Sequence, residues 1–382
     1  MIDVNRTFWL NRRVLVTGHT GFKGTWLSAW LADLGADLIG FGLRPTVQGT
    51  LHRSAGLQGR MDTIEADIRD RDTLEQAIAS REPEIIFHLA GQPLVLAALK
   101  NPVDTFDINT IGTLNLLQAA RRSRRLRAIV VVTSDKCYEP RKEACREGHQ
   151  LGGIDPYSAS KACADIIASS YRRCFLTPED GIGLATARAG NVIGGGDFSH
   201  NRLLPDLVRA ARSGQPVILR NPDAVRPWQH VLDALQGYLM LAEAAATDPA
   251  SYSGPWNFGP SERNECWPVR QVAEYVTAVL GGSVDIRPRQ DSLESPVVRL
   301  NGEKARRQLD WTPRLDTGSA IRLAIDGYRR LLDEPQSDWL IEQIRHYESL
   351  DGTLVDLPAA SIAASSVADI SGTGASYAIK PS

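Results

Sequence analysis

A doubly wound α/β fold, Rossmann-like, with a parallel sheet covered on both faces and a smaller C-terminal substrate lobe, is predicted by three features of the sequence. Apolar runs without polar alternation recur through the first half, as strands buried on both faces require. Stretches of helical apolar spacing separate these runs, which implies crossover connections and parallel pairing. A glycine-rich turn, "VTGHTGFKG", joins the first run to the first helix.

Taken in order, "RVLVTG" (13–18) reads as a strand and Phe22–Leu34 as a helix that stops at Gly35. "ADLIGFGL" and "DTIEAD" read as further strands, followed by a helix from about Asp70. Then come "EIIFHLAG", a long helix over Val103–Arg121, the strand "AIVVVTS", a helix beginning near Tyr157, and a strand in "IGLATARAG". Beyond residue 190, loops rich in Gly and Pro separate short elements, which suits a lobe folding over a ligand. The expected division is a dinucleotide-binding domain over 1–190 with a return segment at about 226–258, and a substrate lobe over 191–225 and 259–350. Residues 351–382 offer little to bury and read as a flexible tail.

Composition excludes several classes of function. The 382 residues carry a net charge of -2, which gives no footprint for nucleic acid or an anionic membrane. The basic run Arg121–Arg127 reads as a solvated helix end. Cys137, Cys145, Cys163, Cys174 and Cys266 form no CxxC pair and have no histidine at metal spacing, so reduced thiols and no metal site are expected. No apolar stretch is long enough for a bilayer span or a signal core, and a cytoplasmic location is expected.

Gly18, Gly21 and Gly24 lie between first strand and first helix. There they serve a tight turn, close approach of backbone to a pyrophosphate, and helix-to-strand packing, with the helix N-terminus facing the phosphate charge. The second strand ends in "LIGFGLRP" without the carboxylate that often holds a ribose, and Arg44 offers itself to a 2'-phosphate, so NAD and NADP both stay open on this feature. Asp67 and Ile68 follow the third strand, where they reach toward an adenine amine or simply cap a helix.

"DPYSASKACAD" puts Tyr157 and Lys161 four apart on one helix face. An ammonium beside a phenol favours phenolate and makes a general base for an alcohol hydroxyl. Before them, "VVTSDKCYEP" ends an apolar strand abruptly in Ser134, Asp135 and Lys136.

From about residue 8 to 345 the chain resembles the extended branch of the short-chain dehydrogenase/reductase family, through "TGHTGFKG", "DIRD", "HLAGQP", "NTIGT", "TSDKCY", "YSASK" and "RAGNVIGGGD". Within that branch it is most similar to the sugar-nucleotide 4,6-dehydratases of bacterial deoxysugar biosynthesis that act on CDP-glucose, in "LGGIDPYSASKACAD" and "RPWQHVLD" among others. Gly91 departs from the more usual Ala, and "LAALKNP" lacks the family's Arg and Tyr.

The resemblance implies NAD as cofactor, held by Gly18, Thr20, Gly21, Phe22, Lys23, Gly24, Asp67, Ile68, Leu89, Ala90, Gly91, Tyr157 and Lys161. It implies that Ser134 bonds the sugar's O4 and Tyr157 takes its proton, with Lys161 tuning Tyr157. Asp135 is then the acid at the C6 hydroxyl and Lys136 the base at C5; the related dTDP-glucose enzymes carry Asp-Glu there. Gln92, Asn191, Arg202, Arg220 and Arg226 are the expected substrate contacts, arginine suiting a diphosphate by its donor fork, while His230 reads as structural. A homodimer or homotetramer is expected from the same resemblance. A sugar-nucleotide 4-epimerase and a non-catalytic dinucleotide-binding protein are the rival readings.

Overall fold

The computed structural model describes residues 3–45, 50–260, 267–288, 298–333 and 338–350. Cys266 and the tail expected over 351–382 lie outside the described residues. Eleven strands are described in chain order: β1 (Arg13–Thr17), β2 (Asp37–Gly42), β3 (Met61–Glu65), β4 (Ile85–His88), β5 (Ala128–Val132), β6 (Gly183–Ala189), β7 (Val192–Ile193), β8 (Val217–Leu219), β9 (Gln229–His230), β10 (Gly254–Phe258) and β11 (Val284–Ile286). Seven of them form one sheet in the order β10-β6-β5-β4-β1-β2-β3. Every pairing in it is parallel. Successive residues of each strand feed opposite layers: Val14 and Val16 enter one buried cluster, Leu15 the other. The strand order reverses between β1 and β4, and the crevice at such a reversal is where doubly wound sheets bind ligands.

Local chemistry sets the helix ends. Asp70 caps Arg71–Arg81 by accepting from Thr73 N at 3.1 Å. Asp155 caps Pro156–Cys174 by accepting from Ser158 N at 3.1 Å, with Pro156 in the first turn where its missing N–H costs nothing. The long helix expected over Val103–Arg121 is present as continuous helical backbone, Pro102–Phe106, a π turn at Asp107–Ile111 and Gly112–Ala120, and a separate short helix, Val95–Lys100, precedes it. Pro102 starts a new helix, and the π turn buries Asn109, whose amide then bonds Gln92 and Ser160.

The last helix, Trp339–Ser349, falls in the range the sequence gives to the substrate lobe, yet it packs on Phe22–Asp33 of the dinucleotide domain. Trp339 meets Trp26 edge-on at 5.5 Å and Tyr347 meets Trp30 at 5.8 Å. Trp30 Nε1 donates to Glu348 Oε1 at 2.9 Å, so the two segments share a polar tie as well.

Glu243 fastens the N-terminus to helix Val231–Thr247, accepting from Trp9 Nε1 at 2.5 Å and Asn5 N at 3.0 Å. Burial pushes its carboxyl up to about 7. A carboxyl that titrates higher folded than unfolded gives its full contribution below its ordinary value of 4.5, and loses it as pH rises through about 7. Glu243→Gln keeps an acceptor without the charge. Between about pH 5 and about pH 8, wild type should lose roughly 1–2 kcal/mol relative to this variant in denaturant unfolding. A difference that does not change with pH would contradict the assignment.

Candidate active site

The glycine turn at the end of β1 is a bare cradle. Gly18 sits at φ +70, a Cβ there would lie 2.7 Å from Ala90 N, and one on Gly24 would lie 2.1 Å from Gly18 O. Gly21 caps the helix Phe22–Asp33 with no side chain over its first turn. Backbone, helix dipole and space are thus open to a pyrophosphate, and the residues present fit a bound dinucleotide. Thr20 is tied to Leu43 O at 3.1 Å, and the Phe22 ring lies against Gly194. Lys23 turns inward to Tyr238, with Nζ 3.3 Å from its hydroxyl. Burial, then the charges of Arg202 and Lys161, bring the Lys23 ammonium down to about 7.

Leu89 and Ala90 hang on Thr17 after β4, by N–H bonds of 3.2 Å each. Arg44 is paired with Glu65 at 3.0 Å, so a carboxylate missing from β2 is supplied by the neighbouring β3. Asp70 and not Asp67 caps the helix, and Asp67 accepts from Arg69, from Nε at 3.0 Å and Nη2 at 2.7 Å. Ile68 is buried in the core, against Gly112.

At the end of β5 the chain makes one 3-10 turn over Asp135–Cys137, capped by Ser134, whose Oγ accepts from Lys136 N at 3.2 Å. The same Oγ donates to Asp135 Oδ1 at 2.9 Å. Ser134 and Asp135 are both buried, and Asp135 Oδ2 has no partner among the described residues. Burial pushes the Asp135 carboxyl up, against the Lys136 charge and the Ser134 hydrogen bond.

The phenol of Tyr157 departs from expectation. Desolvation raises it, the Ser134 hydrogen bond opposes that, and the Asp135 charge adds to it. Lys161 Nζ donates to Val132 O at 3.1 Å, and burial lowers its ammonium to about 8.

On the substrate side, Lys136 and Arg226 line a cavity of about 60 Å³ together with Asp135, Arg141 and Arg299. Arg202 is paired with Asp197 at 3.0 Å and its charge reaches Tyr157 and Lys23. The Asn191 carbonyl accepts from Gln229 N at 3.1 Å, and Arg220 lies 3.5 Å from Asn201 Oδ1. Gln92 is held from behind: its amide nitrogen bonds Thr105 Oγ1 at 3.0 Å and its oxygen takes Leu94 N. His230 is the N-cap of Val231–Thr247, accepting from Leu232 N at 3.3 Å, and burial lowers its imidazole to about 3.

Sequence reasoning missed Glu65, Tyr238, Arg141, Arg299 and the support behind the strand end. There Arg188 on β6 forks onto Asp165, with Nε at 2.8 Å and Nη2 at 2.7 Å, and its Nη1 reaches Tyr138 at 2.6 Å. One charged residue inside the buried strand "GLATARA" was the available signal, since a buried charge must be paired.

The chain belongs to the NAD dependent epimerase/dehydratase family, whose model matches residues 14–255. It is 42% identical over 322 residues to CDP-glucose 4,6-dehydratase of Salmonella typhimurium, covering 82% of this chain and 89% of that protein. Among solved structures it is similar to dTDP-glucose 4,6-dehydratase of Bacillus anthracis in complex with NAD, with a TM-score of 0.70 at 21% identity, over 86% of this chain and 99% of that one. UDP-glucose 4-epimerase of Thermus thermophilus in complex with NAD gives a TM-score of 0.70 at 24% identity, over 83% and 99%. These two likenesses establish the fold.

Gly91 stands in a closely packed place. A Cβ there would lie 2.9 Å from Asn109 Oδ1 and 3.2 Å from Lys161 Nζ. Asn109 cannot yield easily, since its amide is held by Gln92 N at 2.8 Å and Ser160 Oγ at 2.9 Å. Gly91→Ala should therefore displace Lys161 and weaken NAD binding roughly tenfold, for about 1–3 kcal/mol of overpacking. Titration of tryptophan fluorescence with NAD measures it, and wild-type affinity would contradict the packing argument.

Proposed function

We propose that the chain is a hydro-lyase that converts CDP-glucose to CDP-4-dehydro-6-deoxy-D-glucose, with NAD bound throughout. The observation that carries this reading is the buried Ser134-Asp135-Lys136 turn beside Tyr157 and Lys161. Gly18, Gly21, Gly24, Leu89, Ala90 and Lys161 hold the cofactor, and Arg44, the cation that a 2'-phosphate would call on, is paired with Glu65, which favours NAD over NADP. When bound, NAD accepts the two electrons that leave C4 and gives them back at C6.

Ser134 orients O4 and Tyr157 takes its proton. A ketone at C4 makes the C5 proton acidic, and loss of water across C5 and C6 then needs a base and an acid. Lys136 is the base, and Asp135, raised by burial and so better able to hold a proton, is the acid. A 4-epimerase has no use for this second pair. Arg202, Arg226 and Asn191 take the diphosphate end, with Arg141 and Arg299 beside them. The reading assigns 191–225 and 259–350 to the substrate lobe, except that the last helix is shared with the dinucleotide domain. Exposed Leu99, Val103 and Ile166 on the helices after β4 and β5 suit pairing with a second copy, and the cytoplasm is where sugar nucleotides are made available to such an enzyme.

Products from CDP-, dTDP-, UDP- and GDP-glucose, weighed by mass spectrometry, test the substrate. Loss of one water from CDP-glucose alone is expected, and loss from another sugar nucleotide instead would overturn it. Lys136→Met tests the role assigned to the base. In single turnover it should accumulate reduced cofactor and a 4-keto sugar that keeps its C6 hydroxyl, with dehydration slowed roughly 10²–10⁴-fold. Dehydration at the parent rate would remove Lys136 from the mechanism.

A further inference from the structure

Thr17 and His88 are register partners at the ends of β1 and β4, the two strands between which the sheet order reverses. Both side chains are buried, and His88 differs from the other buried histidines. His19 leaves both ring nitrogens without a partner among the described residues, and His230 leaves one. His88 uses both: Nδ1 lies 2.8 Å from Thr17 Oγ1, and Nε2 lies 3.0 Å from Thr113 Oγ1. The chemistry described above makes no use of this ring.

Hydrogen-bond capacity fixes the direction of every proton in the row. Thr113 has one hydroxyl proton, and it goes to the Asn109 carbonyl at 2.6 Å, which can only accept. Toward His88, Thr113 Oγ1 is therefore an acceptor, and Nε2 carries the ring proton. Burial, with the Lys161 charge added to it, lowers the imidazole to about 3, so the ring is neutral and Nδ1 is bare. Thr17 then gives its proton to Nδ1, and its lone pair takes the N–H of Ala90 at 3.2 Å. The other tautomer would set two lone pairs face to face at Thr113.

Each end of the row meets the site. At one end Ala90 stands behind the glycine cradle, where a Cβ on Gly18 would lie 2.7 Å from its nitrogen. At the other end Asn109 is buried in the π turn, and its amide nitrogen donates to Ser160 Oγ at 2.9 Å. Ser160 donates in turn to the Tyr157 carbonyl at 2.7 Å, on the helix that also carries Lys161.

We propose that His88 is a positioning residue with two outputs: Nδ1 sets the loop behind the cofactor cradle, and Nε2 sets, through Asn109, the helix of Tyr157 and Lys161. This goes beyond the dehydratase reading and rests on it only where turnover of CDP-glucose is measured. The tautomer keeps the two outputs apart, because one nitrogen accepts and the other donates.

Amide side chains separate the outputs in the full chain. Asparagine can place an oxygen where Nδ1 stands, and glutamine an N–H near Nε2. His88→Gln takes the acceptor from Thr17, so fluorescence titration should show NAD affinity down roughly tenfold, the effect of one buried donor left unpaired, with a smaller loss in kcat. His88→Asn takes the donor from Thr113, so kcat for CDP-glucose at saturating NAD should fall roughly tenfold, with a smaller loss in NAD affinity. Equal losses of both quantities in both variants would make His88 a packing residue only and overturn the proposal. Nitrogen-15 spectra of histidine-labelled wild type need no variant to fold. They should show a proton on Nε2 and a bare Nδ1, unchanged between about pH 5 and about pH 8. The opposite tautomer, or titration in that range, would overturn the proposal. A wild-type chain that binds NAD but leaves CDP-glucose unchanged would overturn the dehydratase reading instead, and the tautomer and the NAD affinities would still decide the role of His88.

Discussion

One buried ion pair determines where everything else in the site can stand. Asp165, on the same helix as Tyr157 and Lys161, takes both arms of Arg188 and the hydroxyls of Thr133 and Thr186 at 3.0 Å each, which fills its lone pairs. Arg188 continues to Tyr138, whose hydroxyl donates to Asn257 Oδ1 at 2.7 Å. Strands β5, β6 and β10 and the helix Pro156–Cys174 are thus fastened to one centre. Thr133 and Tyr138 are the residues on either side of Ser134–Cys137, so the reactive turn is clamped at both ends. Breaking a buried pair by removing one partner typically costs about 3–5 kcal/mol, because the other charge is left stranded.

With the turn fixed, burial does the rest of the chemistry. Charged groups lose hydration around Asp135, and each shifts toward neutrality: the carboxyl up, Lys161 down to about 8 and Lys23 down to about 7. A site so arranged is short of negative charge until its ligands arrive. Two diphosphates, one from the cofactor and one from the sugar nucleotide, would restore the ammonium groups to full charge and draw the protein onto them. The Tyr157 phenol belongs to this balance: desolvation raises it, the Asp135 charge adds to that and the Arg202 charge opposes it.

The parallel sheet, the glycine cradle and the polar end of β5 were legible because each is a local pattern: apolar runs, glycine spacing, and three polar residues where a core strand should end. The helix starts near Asp70 and near Tyr157 belong to the same class. What was not legible depends on partners distant in sequence. The bonds of Gln92 to Thr105 and Asn109 depend on where the π turn falls. The Lys161 ammonium meets the Val132 carbonyl only through the packing of its helix on β5. Glu65 reaches Arg44 only through the register of β2 and β3, and the last helix finds Trp26 and Trp30 across more than three hundred residues of chain. Periodicity shows which face of an element is apolar, not which neighbour it meets.

The central claim is that one turn serves O4 on one side and O6 on the other. A crystal structure of the Lys136→Met protein with NAD and CDP-glucose tests it most directly, because the stalled enzyme holds the sugar in place. The account predicts O4 within hydrogen-bond distance of Ser134 and Tyr157, O6 against Asp135 Oδ2, and the C5 proton facing residue 136. A sugar bound with its C6 hydroxyl turned away from Asp135 would contradict it.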